Sequence, residues 1–266
     1  MPSFRSDDAL IHYQVLGDGP TVVLLHPFPA DHGIWLPVAE ALASRYRVLL
    51  PDLRGHGASE PGSGPATMEK HVADLVRLLE VTQTGCAVFG GVSIGGYILF
   101  EFWRRHGERV EALILASTRA TADTDEGRRT RLASAEDVEK RGPEPFLDTM
   151  LPKLVGESTR RNRPDLAAAA RKMMGRMSVA GIAAAQRGMA ARPDSVATLA
   201  GMDVPTLILA GEEDTLIPVA DADQMRRGIP GSALEVVPAA GHYAVFEQAE
   251  RCARLIRQFL DGLALT

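Results

Sequence analysis

The chain has little that would staple it or anchor it. Two cysteines, Cys86 and Cys252, stand in 266 residues. Two thiols in a chain this long do not make a disulfide framework. The expectation is a pair of reduced, partly buried thiols in a cytoplasmic protein. No apolar run approaches the roughly 20 residues that span a bilayer, so no membrane partner is expected. The opening MPSFRSDDAL starts polar and is followed by no sustained apolar stretch, so it does not read as a signal peptide. An excess of one charge is missing too. The formal net charge is −5, which argues against a nucleic-acid partner. The basic clusters RRTR and STRRNR are short and local, and both are expected on solvated helix faces. H-E-x-x-H, C-x-x-C and calcium-loop spacings are absent, as is a dinucleotide fingerprint. No metal and no cofactor are expected.

What remains is an ordinary globular balance, 45% hydrophobic and 24% charged. Six short apolar runs read as strands: TVVLL (21–25), YRVLLP (46–51), CAVFGG (86–91), VEALILAS (110–117), PTLILAG (205–211) and ALEVVPA (233–239). They lack clean alternation, as strands buried on both faces do. Helix-like stretches lie between them. WLPVAEALASR follows the first run and TMEKHVADLVRLLEV the second, the latter with Thr67 as N-cap. The alternation predicts an α/β fold, a mostly parallel sheet with helices on both faces. FRSDDALIHYQVLG reads as an antiparallel hairpin at the sheet's edge. After residue 118 the strand rhythm stops and does not resume until about 204. The division expected is therefore a core made of 1–118 and 204–266, with a helical insertion at 119–203.

The strongest chemical signal is FGGVSIGGY. Gly91, Val92, Ser93, Ile94 and Gly95 spell G-x-S-x-G between a strand and the helix IGGYILFEFWRRHG. A sharp strand-to-helix turn of this kind lifts the serine hydroxyl above the sheet. A serine hydroxyl is a weak nucleophile until a base takes its proton. His242, in GHYAVFE after the last strand, and His56, in PDLRGHGAS, both follow strand ends. For a nucleophile elbow of this type the partners follow in the order serine, acid, histidine, which favours His242. His12, His32, His71 and His106 read as ordinary surface or structural residues. The orienting acid belongs at a strand's carboxyl end, where Glu212, Glu213 and Asp214 stand together. Chemistry alone does not separate them.

HPFPADHGIW, PDLRGHGAS, GGVSIGGY, GEEDTLIP and GHYAVFE together resemble the α/β-hydrolase-fold family along nearly the whole chain. The resemblance implies that Asp214, the aspartate of a G-x-x-D pattern, is the triad acid. It also implies an oxyanion hole from the backbone N–H groups of Phe28 and Ile94. Phe28 sits between Pro27 and Pro29, neither of which has an N–H to offer. Asp52, Arg54 and Gly55 are structural in the family. Relatives that cleave halides or epoxides carry aspartate at the position of Ser93, so serine implies acyl transfer. The insertion resembles the helical caps of 3-oxoadipate enol-lactonases and small esterases. The implied partner is a small-molecule ester or lactone, and a homo-oligomer stays open. Carbon–carbon bond hydrolysis stays open too, although Tyr243 replaces the tryptophan usual after the histidine there. Cofactor-free haloperoxidase or perhydrolase activity and slow-turnover ligand reception use the same triad. Met150, Met173, Met174, Met177 and Met189 are expected mostly in the core beneath the insertion, and Arg128 or Arg187 are candidates for holding a substrate carboxylate.

Overall fold

A computed structural model describes residues 1–265. The N-terminal hairpin forms as β1 (Ser3–Ser6) and β2 (Ala9–Leu16), antiparallel. The apolar runs become β3 (Thr21–Leu25), β4 (Arg47–Pro51), β5 (Ala87–Val92), β6 (Val110–Ala116), β7 (Thr206–Gly211) and β8 (Ala233–Val237). One eight-stranded sheet results, ordered β1-β2-β4-β3-β5-β6-β7-β8. From β4 to β8 every pairing is parallel, and only β1 and β2 run against their neighbours.

Every residue of β3, β5 and β7 is buried, because helices cover both faces. Those of the core are α1 (Leu36–Leu42), α2 (Met68–Val81), α3 (Ile94–His106), α9 (Val219–Gly228), α10 (Ala244–Glu247) and α11 (Ala249–Asp261). Thr67 caps α2 by accepting from the Lys70 N–H. The last strand departs from the expectation of burial on both faces. β8 stops at Val237 and buries only that residue, because it has a neighbour on one side alone. The thiols depart too. Cys86, one residue ahead of β5, is exposed, whereas Cys252 on α11 is fully buried and its thiol is pushed up to about 12 by that burial.

Between β6 and β7 lie five α-helices, a short 3-10 helix (Val196–Gly201) and, among the described residues, no strand. The α-helices are α4 (Asp125–Arg141), α5 (Glu144–Leu154), α6 (Glu157–Asn162), α7 (Pro164–Met174) and α8 (Val179–Ala190). Met173, Met174 and Met177 pack into the core. The basic clusters are not simply solvated. Arg131 reaches Asp123 and Gln186, while Arg160 and Arg163 donate to the carbonyls of Val155 and Glu247. No helix of the described residues is long and apolar enough to cross a membrane.

Three histidines, His26, His56 and His71, are wholly enclosed. Burial pushes each imidazole below its ordinary value, His56 to about 3. They are neutral in the fold, whereas the unfolded chain protonates them near 6.5. Below that pH the unfolded state binds more protons, so stability falls as pH falls. A group fully neutral in the fold contributes a slope of at most about 1.4 kcal/mol per pH unit. Asp74 and Glu247, carboxyls held above their ordinary range chiefly by burial, oppose this near the acid end. A single substitution isolates one proton. Neither ring nitrogen of His71 has a hydrogen-bond partner. His71→Leu should therefore gain on the parent by at most about 1.4 kcal/mol per unit between roughly pH 6 and 5 in urea titrations. A difference independent of pH would rule out a buried neutral imidazole.

Candidate active site

Ser93 closes β5 and opens α3 with φ 54° and ψ −112°, a conformation costly for any residue with a side chain. Its surroundings hold it there. The Ser93 N–H donates to Ala116 O at 3.0 Å, and Ser93 O accepts from Thr118 Oγ1 at 2.8 Å. Glycine is required on either side. A Cβ at Gly91 would lie 2.4 Å from the Gly95 carbonyl carbon, and one at Gly95 would lie 2.8 Å from Leu25 O. The turn thus passes against its own helix and against the end of β3.

The loop after β3 is pinned from below by His26. Its Nε2 accepts from the Leu53 N–H at 2.9 Å, so the proton is on Nδ1, which donates to Pro27 O at 2.9 Å. The Ala30 N–H also donates to Pro27 O. The Phe28–Pro29 bond is cis. The Phe28 ring lies edge-on to His56 and against Phe146 of α5. Among the described residues, neither the Phe28 nor the Ile94 N–H donates to a protein acceptor.

His242 Nδ1 lies 2.8 Å from Asp214 Oδ2, and both side chains are almost fully buried. Asp214 Oδ1 accepts from the Leu216 and Ile217 N–H groups, at 2.9 Å each. That satisfies the carboxylate and fixes its second oxygen on the imidazole. The adjacent glutamates point elsewhere. Glu212 accepts from the Ala239 N–H and Glu213 from Ser158. His56 binds Arg54 O and packs beneath Phe28. Ser93 and His242 are not hydrogen-bonded to one another, but both line one cavity of about 600 Å³. Contacts of this kind commonly tighten only when substrate is bound.

The cavity wall corrects two expectations. Arg128 pairs with Asp125 and Arg187 forks onto Glu139, and neither lines the cavity. The arginines that do are Arg119 and Arg131. Of the five methionines, Met150 and Met189 line it. His26 and Arg119 carried no role in the sequence reading. For His26 the available signal was its place at the last residue before Pro27, directly beyond a buried strand.

Asp31, His32 and Asp52 are the one group of three metal-capable side chains among the described residues. Their atoms already serve one another. Asp52 accepts from the His32 N–H and ring and from the Ala58 N–H, while Asp31 pairs with Arg176. Burial works against both charges, yet the contact holds His32 above its ordinary value and Asp52 down at about 2. Arg54, also from this motif, is buried and grips Asp74 with two hydrogen bonds.

A profile of the alpha/beta hydrolase fold matches residues 20–249. The chain belongs to the α/β-hydrolase-fold family. Among solved α/β hydrolases, a thermophilic esterase from Thermogutta terrifontis with malate bound is 40% identical. The match covers 95% of this chain and 93% of that one, with a TM-score of 0.93. The enol-lactonase from Burkholderia xenovorans LB400 is 26% identical, covering 98% and 100%, with a TM-score of 0.91. The 3-oxoadipate enol-lactonase 1 of Acinetobacter baylyi is 27% identical over 92% of this α/β hydrolase and 90% of its own length.

Proposed function

We propose that the protein is a serine hydrolase that cleaves a small carboxylic ester or lactone through an acyl-enzyme. The observation that carries this reading is the Ser93 elbow, facing one cavity with a buried His242–Asp214 pair. Asp214 holds the proton on His242 Nδ1, which leaves Nε2 to accept the Ser93 proton as Oγ attacks the carbonyl carbon. The carbonyl oxygen becomes an oxyanion between the Phe28 and Ile94 N–H groups. A donor placed there is worth about 3 kcal/mol. His242 then returns its proton to the leaving alkoxide. Water, deprotonated by the same nitrogen, releases the acid and restores Ser93. The named activities of the relatives, esterase and enol-lactonase, support this chemistry. Two cysteines without a partner fit a reducing cytoplasm.

Residues 119–203 act in this reading as a cap that selects substrate. Arg131, Phe146, Met150 and Met189 bring the insertion's side chains to the cavity, whereas Ser93, Asp214 and His242 all stand on loops of the sheet. A cavity of about 600 Å³, partly covered by the insertion, suits a small ligand better than a long acyl chain. Its wall carries Arg119, Arg131 and Lys153 against Asp123 and Glu126. Arg131 shares the Asp123 carboxylate with Arg192. Arg119 also faces the cavity, with Nη2 on Leu216 O, Nη1 3.8 Å from Asp221, a hydrogen bond to Tyr97, and Nε without an acceptor. This favours substrates with a carboxylate, and malate on the relative is a molecule of that class.

The test is a chain-length series of p-nitrophenyl esters, simple lactones, and short esters with and without a free carboxylate. Short substrates should be hydrolysed fastest. Arg119→Met should raise KM for the carboxylate-bearing ester and leave that of its neutral analogue unchanged. Preference for long-chain triglycerides would sink the confined cavity. Ligand binding with no hydrolysis of any substrate would favour a receptor.

A further inference from the structure

Glu247 ends the motif GHYAVFE, lies 1% exposed on α10, and has no part in the mechanism above. It makes no ion pair among the described residues. Its two carboxylate oxygens are divided between two segments far apart in sequence. Oε1 accepts from the Gly241 N–H at 2.9 Å, directly before His242. Oε2 accepts from the Gly156 N–H at 2.9 Å, at the joint between α5 and α6 of the insertion. The buried Thr159 hydroxyl, also from the insertion, bonds the same carboxylate.

The two backbones meet directly. A Cβ at Gly156 would lie 2.7 Å from Gly241 N, and one at Gly241 would lie 2.5 Å from Gly156 N. Two N–H groups brought so close, and aimed at one point, repel unless an acceptor with negative charge sits between them. The Glu247 carboxyl supplies an acceptor to each, and these hydrogen bonds offset part of the burial that raises it. Further bonds run across the same seam. The Tyr243 N–H donates to Leu154 O at 3.0 Å, and Arg163 Nη1 donates to Glu247 O at 2.6 Å. Glu213, next to Asp214, accepts from the Ser158 N–H and hydroxyl. The α5–α6 joint is therefore sewn to the loops that carry both His242 and Asp214.

We propose that Glu247 is a positioning residue that locks the insertion to the His242 loop, so that the cap's position and the base's orientation change together. The inference rests on His242 being the base. It adds that the cap is not merely a wall, because a substrate that shifts the α5–α6 joint also shifts the imidazole.

The geometry sets up a discriminating pair of substitutions. In Glu247→Gln the amide keeps one acceptor but turns an NH₂ group toward the N–H of Gly156 or Gly241, a donor facing a donor. In Glu213→Gln the new NH₂ donates to the Ser158 hydroxyl while the amide oxygen keeps the Ser158 N–H, so both Ser158 contacts survive. On a short p-nitrophenyl ester, Glu247→Gln should lower kcat by about 10²-fold with KM little changed, because the base is displaced and the cavity is not. Glu213→Gln should keep the parent's kcat. Thermal unfolding of both variants provides the control for folding. Glu247→Gln with parental kcat overturns the proposal. If His242→Ala also keeps its activity, the reading of the base fails instead. Should Glu247→Gln not fold, amide hydrogen exchange on the parent protein decides. Gly156 and Gly241 should open together with one protection factor, and free exchange at Gly156 beside a protected Gly241 would rule out the lock.

Discussion

Ser93→Ala should leave a folded protein with hydrolysis reduced about 10⁶-fold, the scale seen when a serine hydrolase loses its nucleophile. The fold should survive because what holds residue 93 at positive φ is backbone and neighbour. Its N–H goes to Ala116 O, its carbonyl takes the Thr118 hydroxyl, and Gly91 and Gly95 make room. None of these needs the Ser93 hydroxyl. The measurement is kcat/KM on a short ester, together with covalent labelling by a fluorophosphonate. Labelling should vanish while the urea midpoint stays near the parent's. Labelling that persists on another serine would remove the central assignment, whatever happens to the rate.

Asp214→Asn should cost about 10⁴-fold in kcat/KM, the effect of the same change in a serine protease. The local geometry shows why. Oδ1 accepts from the Leu216 and Ile217 N–H groups, so the asparagine oxygen is drawn there. Its NH₂ group then faces His242 Nδ1 at the place of Oδ2. An NH₂ donor obliges Nδ1 to accept, which moves the imidazole proton to Nε2, the atom that the proposed mechanism uses as base. Stability should change far less, since the shape and two of the three hydrogen bonds remain. Glu212→Gln and Glu213→Gln, whose partners are Ala239 and Ser158, should stay near parental activity. If either glutamine variant shows the large loss instead, the acid is wrongly assigned.

The strands and the fold class were legible because burial leaves a direct mark on composition. TVVLL and AVFGGV are apolar throughout since helices cover both of their faces. ALEVVPA misled for the same reason. Its apolar content suggested an enclosed strand, but β8 is an edge strand with mostly open faces. The position of Ser93 was legible because a local turn with tight steric demands needs glycine at fixed neighbours. The arginine roles were not. Arg128 and Arg187 are spent on Asp125 and Glu139, whereas Arg119 and Arg131 reach the cavity. Which face of a cap helix meets the cavity depends on how that helix is laid over the sheet, and the helix's own spacing does not encode it.

By itself, then, the sequence determined what is set by neighbours along the chain. The buried parallel strands, the elbow at Ser93, the cap on α2 and the single donor between Pro27 and Pro29 all follow from residue type and short-range sterics. Only the tertiary structure decided which distant groups meet. It set His242 on Asp214 across 28 positions, the ring of His26 on the Leu53 N–H, and the carboxylate of Glu247 between Gly156 and Gly241. The physical reason is that a buried polar group must find its partner wherever the packed chain brings one within about 3 Å. Packing of the whole sheet and its helices, rather than local spacing, determines which groups come that close.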